Sequence, residues 1–209
     1  MKGRWFTVNA NDNPVLIYSR HMTAPRLDLY YPVVYGMPNQ DVQQHINKAI
    51  WHLVCALLKE QGYYDNPQAE VTGRFEIKTN ERGILSLSII NYTFSGGAHG
   101  LTIVKSLTFD VQTGRTFQLS DLFKPNSNYI LILSEIIKEQ IAEREIVLLQ
   151  EFTAIRPDQD YYIADKALVI YFQQYEIAAY VYGILYFPIS VYEIQDIIDE
   201  NGPLGRMLG

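Results

Sequence analysis

Between two stretches in which apolar residues recur with helical spacing lie three segments that alternate side chains with period two, at about 70–79, 84–94 and 101–110. A segment patterned for a strand cannot present one face as a helix, and the reverse also holds, so this switch restricts the chain to helices packed on sheets. In the first segment Val71, Gly73, Phe75 and Ile77 share one face, and Glu70, Thr72, Arg74, Glu76 and Lys78 share the other. That pattern belongs to a half-solvated strand. The second segment alternates Leu85, Leu87 and Ile89 with serines and further isoleucines, so both of its faces are expected to be partly covered. Asn80-Glu81-Arg82-Gly83 joins these two strands. Asp110 to Arg115 is read as a turn, with Gly114 at positive φ, before a strand TFQL.

The helical stretches flank this block. Asn39 is read as the N-cap of a helix over 39–61, with Val42, Ile46, Ala49, Ile50, Leu53 and Leu57 as its buried stripe. A second helix is read from Ser127 or Asn128 to Leu149, buried through Tyr129, Ile132, Leu133, Ile136, Ile137 and Ile141. Ahead of the first helix, VLIYS and LDLYYPVVY read as two extended segments separated by HMTAPR. Behind the second come YYIA, ALVIYF and ILYFPI, and then a short helix VYEIQDIID, opened by Ser190 with Glu193 and closed by Gly202. The expected class is α+β: antiparallel or mixed sheets with two long helices packed on a face, plus a short C-terminal helix. Two subdomains are expected, 1–92 and 93–209, sharing one core.

With 209 residues and 48% hydrophobic composition, such a chain folds without staples, and its lone Cys55 cannot crosslink it internally. Seventeen basic residues against 23 acidic give a formal charge of −6, with no basic cluster. Nucleic acid is therefore not an expected partner, whereas a basic protein would be attracted. No apolar run approaches the length of a membrane span. The start, MKGRWFTVNANDNP, has no apolar central region, so the expectation is a cytoplasmic chain or one that begins after a removed anchor.

Few residues are candidates for chemistry. Asp41, His45 and His52 share one flank of the first helix, but the histidines stand about 10 Å apart along its axis, too far to hold one ion. No metal or other cofactor is expected. Cys55 follows His52 by three residues, a spacing that permits contact; inertness is the preferred reading. Trp51 lies opposite the centre of the apolar stripe, beside Leu58, and is expected to be covered by a neighbouring element or by a partner. The sharpest local feature is Ser95-Gly96-Gly97-Ala98-His99-Gly100, in which three glycines surround one histidine. The second is Tyr175-Glu176-Ile177-Ala178-Ala179-Tyr180. Glu176, set among apolar residues, needs donors, and backbone groups or His99 are the expected ones, tying the two loops together. Ser95 and His99 with a carboxylate such as Glu176 form the alternative, a hydrolytic set.

These loops carry a resemblance. SGGAHG at 95–100, LTFDVQTGRTFQLSDLF at 107–123 and VIYFQQYEIAAYVYGILYFPI at 169–189 occur in the order seen in the bacterial family of unknown function DUF3298, here with a preceding DUF4163-like subdomain. The chain resembles that family over nearly its whole length. Ala179 and Gly100 depart from it, standing where the family usually or often has proline. The family's domain occurs at the extracytoplasmic C-terminus of a lysozyme-sensing anti-sigma factor and beside the catalytic domain of a peptidoglycan deacetylase. The resemblance implies an α+β fold and a non-enzymatic binding or sensing role at the cell envelope, extracytoplasmic, with a lysozyme-like basic protein or cell-wall glycan as ligand. It brings no catalytic residues with it. Ser95, Gly96, Gly97, His99, Tyr175, Glu176, Tyr180 and Trp51 are the candidate binding surface. The alternatives are a peptidoglycan hydrolase or transferase using His99 and a carboxylate, and a structural protein without ligand.

Overall fold

The computed structural model describes residues 14–208; the stretch Met1–Asn13, on which the reading of the chain's start rests, lies outside the described residues. In chain order the elements are β1 (Leu16–Ala24), β2 (Leu27–Tyr35), α1 (Gln40–Glu60), β3 (Glu70–Glu81), β4 (Ile84–Phe94), β5 (Leu101–Asp110), α2 (Tyr129–Glu143), β6 (Tyr161–Ala164), β7 (Ala167–Phe172), β8 (Leu185–Ser190) and α3 (Pro203–Met207). β1 to β5 form one sheet in sequence order, antiparallel except where β2 runs parallel to β3, and β6-β7-β8 form a second, antiparallel sheet. The α+β class with mixed and antiparallel sheets, two long helices and a short C-terminal one is as expected. Position 92 falls within β4, and the first sheet continues through β5.

The layers follow from alternation. Leu85, Leu87 and Ile89 of β4 join Ile46, Ile50 and Leu57 of α1 in one core. On the opposite face, Ile90 of β4 and Val104 of β5 meet Tyr162, Val169 and Tyr171 of the second sheet. The other face of β7, through Leu168, Ile170 and Phe172, shares a third core with Leu133, Ile137 and Ile141 of α2. Stacked in order, these are α1, first sheet, second sheet, α2. Both faces of β4 are covered, which is why it carries no consistently polar side.

Much of the contact between the sheets is polar. Thr79 Oγ1 donates to Ile163 O at 2.9 Å and accepts from Asp165 N at 2.9 Å, while Ser86 Oγ accepts from Ile163 N at 3.1 Å. Tyr171 shares a 2.8 Å hydrogen bond with Ser106, and burial pushes its hydroxyl well above the usual tyrosine range. Strand edges are closed by side-chain amides in place of a further strand: Asn47 bonds both backbone groups of Val34 and Gln173 those of Val104, and Asn80 of β3 does the same for Val15, just ahead of β1. Each presents a donor and an acceptor side by side, as a neighbouring backbone would.

Local departures from the sequence reading have local causes. β1 continues to Ala24, and the hairpin turns at Pro25-Arg26, with Arg26 at φ 65°. The β3–β4 turn narrows to Arg82 and Gly83, both at positive φ, as a two-residue hairpin requires. TFQL is not a strand: Thr116 makes one bridge to Phe109, and Asp121 accepts from Gln118 N to start a 3₁₀ turn at Leu119–Leu122. α2 stops at Glu143 rather than Leu149. Glu145 at φ 50° lets Ile146 N bond back to Ile141 O, which sends Ile146 into the core. The buried stripe of α1 is Val42, Ile46, Ile50, Val54, Leu57 and Leu58, so Ala49 and Leu53 sit at its margin. VYEIQDIID forms turns because Ile197 to Asp199 pair with Leu122 to Lys124 in extended form; the C-terminal helix starts instead at Pro203. Among the described residues no helix is long and apolar enough to cross a membrane.

Candidate functional site

The glycine loop leaves the end of β4 and returns into β5. Gly96 and Gly97 take φ of 89° and 95°. Gly100 is required for space: a Cβ there would lie 2.4 Å from Thr93 O and from the Tyr92 ring. Gly100 N donates to Tyr92 Oη at 3.2 Å, and Gly100 O accepts from Tyr180 Oη at 3.2 Å. The exposed His99 ring stacks on Tyr180, with centroids 3.9 Å apart and planes 20° from parallel. Its Nδ1 lies 3.1 Å from Gly100 O, and its Nε2 lies 3.4 Å from Tyr175 Oη.

The second loop is anchored along the free edge of β5. Val104 N and Thr102 N donate to Gln173 Oε1 and Gln174 Oε1, at 3.0 and 2.7 Å. Glu176 then closes the turn twice, its backbone N donating to Gln173 O and its carboxylate accepting from Gln173 N at 2.7 Å. Gln159 and Arg156 also donate to that carboxylate. Clamped in this way, Tyr175 is held at φ 65°, a conformation bulky residues avoid, and the residue is 49% exposed. Beside it a groove of about 520 Å³ opens between the end of α1 and the glycine loop, lined by Gln61, Thr93, Ser95, His99, Leu101 and Tyr175 among others.

The two loops therefore meet, through contacts other than the expected one. Tyr175 and Tyr180 touch His99, whereas the hydrogen bonds of Glu176 go to Gln173, Gln159 and Arg156. Neither Ser95 nor Glu176 is a hydrogen-bond partner of His99, so the residues of the hydrolytic alternative are not linked in a relay. Trp51 stands outside the groove; it packs on Tyr31 of β2, with centroids 5.4 Å apart, and stays 40% exposed. Burial pushes the Cys55 thiol up, the opposite of activation. Among the described residues no three His, Cys, Asp or Glu side chains converge as a metal site.

Sequence reasoning missed Gln61, Asn91, Thr93, Gln173 and Gln174. The signal for two of them was present, because one face of β4 reads Leu85, Leu87, Ile89, then Asn91 and Thr93, turning polar at the groove end.

Comparison with known proteins agrees with the fold. The model of the protein of unknown function DUF3298 matches residues 120–192, and that of deacetylase PdaC matches residues 23–102. The chain resembles both families. It is 27% identical over 188 residues to the anti-sigma-V factor RsiV of Bacillus subtilis (strain 168), covering 82% of this chain and 65% of RsiV. To the peptidoglycan-N-acetylmuramic acid deacetylase PdaC of the same organism it is 28% identical over 117 residues, covering 53% of this chain and 25% of PdaC. The chain thus spans less than two thirds of the length of either curated relative. Crystal structures of DUF3298 family proteins share its fold. One from Bacteroides fragilis has a TM-score of 0.65 at 12% identity, covering 92% of this chain and 95% of its own. One from Pseudomonas aeruginosa has a TM-score of 0.68 at 14% identity, covering 92% and 98%.

Proposed function

We propose that the chain is a non-catalytic, extracytoplasmic recognition module of the cell envelope and that its ligand is cell-wall glycan. The observation that carries this reading is the aromatic rim of the groove, where Tyr175 and His99 line the opening and Tyr180, stacked on His99 and in contact with Tyr175, holds both rings in place. Rigid rings offer contact area at little cost in ordering, and an open groove beside them suits an extended chain of sugar rings. A non-catalytic role is supported by the bonding of His99, which is directed at a backbone carbonyl and a phenol and not at a nucleophile or a carboxylate. The likeness to proteins named as an anti-sigma factor and a peptidoglycan deacetylase supports the envelope setting.

A basic protein such as lysozyme is the second reading, favoured by the formal charge of −6. Titration of the purified chain with soluble peptidoglycan fragments and with lysozyme, across a salt series, separates the two. Glycan binding is expected to change little with salt and to fall about tenfold or more in Tyr175→Ala. Lysozyme binding would weaken steeply as the Debye length shortens. Absence of glycan binding, or binding indifferent to Tyr175→Ala, would refute the leading reading.

A further inference from the structure

The groove ends on polar atoms to which the protein offers no partner. Five buried side-chain polar atoms lack a hydrogen bond among the described residues, and four of them belong to Gln61, Asn91 and Thr93. These residues are neighbours. Asn91 and Thr93 alternate along the α1 face of β4, and Gln61, the residue that ends α1, donates from Nε2 to Asn91 O at 3.3 Å. Asn91 is 0% exposed and Thr93 6%. The fold makes room for the Asn91 amide at Gly73, where a Cβ would lie 2.4 Å from Asn91 Oδ1. An unanswered buried polar atom is costly, and natural structures hold few of them. Two of the four, Gln61 Oε1 and the Thr93 hydroxyl, belong to residues that line one groove, and they mark a place built for a guest. Gln61 and Thr93 line the groove directly; Asn91 lies one step behind them.

We propose that this floor holds an acetamido group, the N-acetyl substituent of an amino sugar; the proposal rests on the glycan reading above and names the part of the sugar that is read. The bond from Gln61 Nε2 to Asn91 O leaves Gln61 Oε1 as an acceptor in need of an N–H donor. The Thr93 hydroxyl can donate to a carbonyl oxygen. Leu101 and Ile103 give the apolar wall that a methyl group requires, and Tyr175 and His99 line the same groove as aromatic surface for the sugar. An amide N–H, a carbonyl oxygen and a methyl group on one small substituent match all three features. A hydroxyl at the same carbon can both donate and accept, but it carries no methyl group and leaves the apolar wall wet, and it lacks the carbonyl that reaches the Thr93 hydroxyl from beyond the N–H, so the site favours the acetamido substituent.

The test is calorimetric titration of the whole chain with two neutral tetramers, β-1,4-linked N-acetylglucosamine and β-1,4-linked glucose, which differ only at the second carbon of each ring. The acetylated tetramer is expected to bind at least about tenfold more tightly. Thr93→Val keeps the shape of the side chain, removes an unpaired hydroxyl and so leaves the urea midpoint unchanged or raised. It is expected to cut the preference to about threefold or less, with the affinity for the glucose tetramer unaltered. Equal binding of both tetramers, lost in Tyr175→Ala, would keep the glycan reading and overturn the acetamido site. A preference for the acetylated tetramer that survives Thr93→Val would overturn it as well, leaving Thr93 with a bound water only. Failure of either tetramer to bind would overturn both readings.

Discussion

Replacing Gln173 with leucine tests whether the Tyr175 loop is held by the edge of β5. Val104 is 1% exposed; its N–H donates to Gln173 Oε1 at 3.0 Å, and its C=O accepts from Gln173 Nε2 at 2.6 Å. Gln173 Nε2 also donates to Asp160 Oδ2 at 3.0 Å. Leucine fills a similar volume without polar atoms. After the change Asp160 retains Lys105 at 2.8 Å, and Val104 O retains the Tyr171 hydroxyl at 3.4 Å, so the group left without a partner is Val104 N–H. One buried donor unsatisfied costs about 1–3 kcal/mol, and the two remaining bonds contribute about 0.5–1.5 kcal/mol each. Because Gln173 is half-buried and water reaches part of the gap, the expected destabilisation lies at the low end of that sum, about 2–3 kcal/mol. With a urea m-value of about 2–3 kcal/mol/M for a chain of this size, the midpoint falls by about 1 M. Gln174→Leu, which loses only the bond to the half-buried Thr102 N, is expected to cost about 1 kcal/mol or less. Equilibrium urea unfolding of the three proteins measures this. A Gln173→Leu midpoint indistinguishable from that of the parent, or a larger loss in Gln174→Leu, would show that the amide does not stand in for a strand.

Two further outcomes concern positions away from the groove. Burial alone would raise the Asp110 pKa, but the hydrogen bond and charge of Arg206, with the Thr113 backbone and hydroxyl, outweigh it and hold the carboxyl below its usual value. A depressed folded-state pKa gives stability that is present above the unfolded value of about 3.9 and lost as pH falls through the folded one. Asp110→Asn should therefore cost about 2 kcal/mol near pH 6, a difference that shrinks below about pH 4; a gap that does not change with pH in urea titrations would refute it. Glu145 occupies a left-handed position where glycine is unstrained, so Glu145→Gly is expected to stabilise by about 0.5–1 kcal/mol, raising Tm by roughly 1–4 °C. A lower Tm in calorimetry would contradict that account of how α2 ends.

How much of this was legible depends on the range of the forces involved. β3, β4, β5, β7 and α1 could be read because period-two or helical burial and a capping asparagine are written within a few residues of one another. The end of α2 could not: a glutamate took the left-handed position where glycine would have signalled the stop, and only the burial of Ile146 makes that conformation worthwhile. VYEIQDIID carries a helix-start pattern, yet pairing with Leu122 to Lys124, far away in the chain, wins over it. The site divides in the same way. Gly96, Gly97, His99, Tyr175, Glu176 and Tyr180 stand out as unusual local composition, and they form two adjoining loops.

The sequence by itself determined which segments become strands and helices, that helices must cover sheets, and that two odd loops exist, because backbone propensity and hydrophobic period act between near neighbours. Tertiary structure alone decided that Tyr175 and Tyr180, and not Glu176, reach His99, that Gln173 serves as a strand edge, and that Gln61 Oε1 and the Thr93 hydroxyl, on residues lining one groove, are left unpaired. Hydrogen bonding and desolvation depend on which distant groups arrive within about 3 Å of one another, and no spacing along the chain encodes that distance.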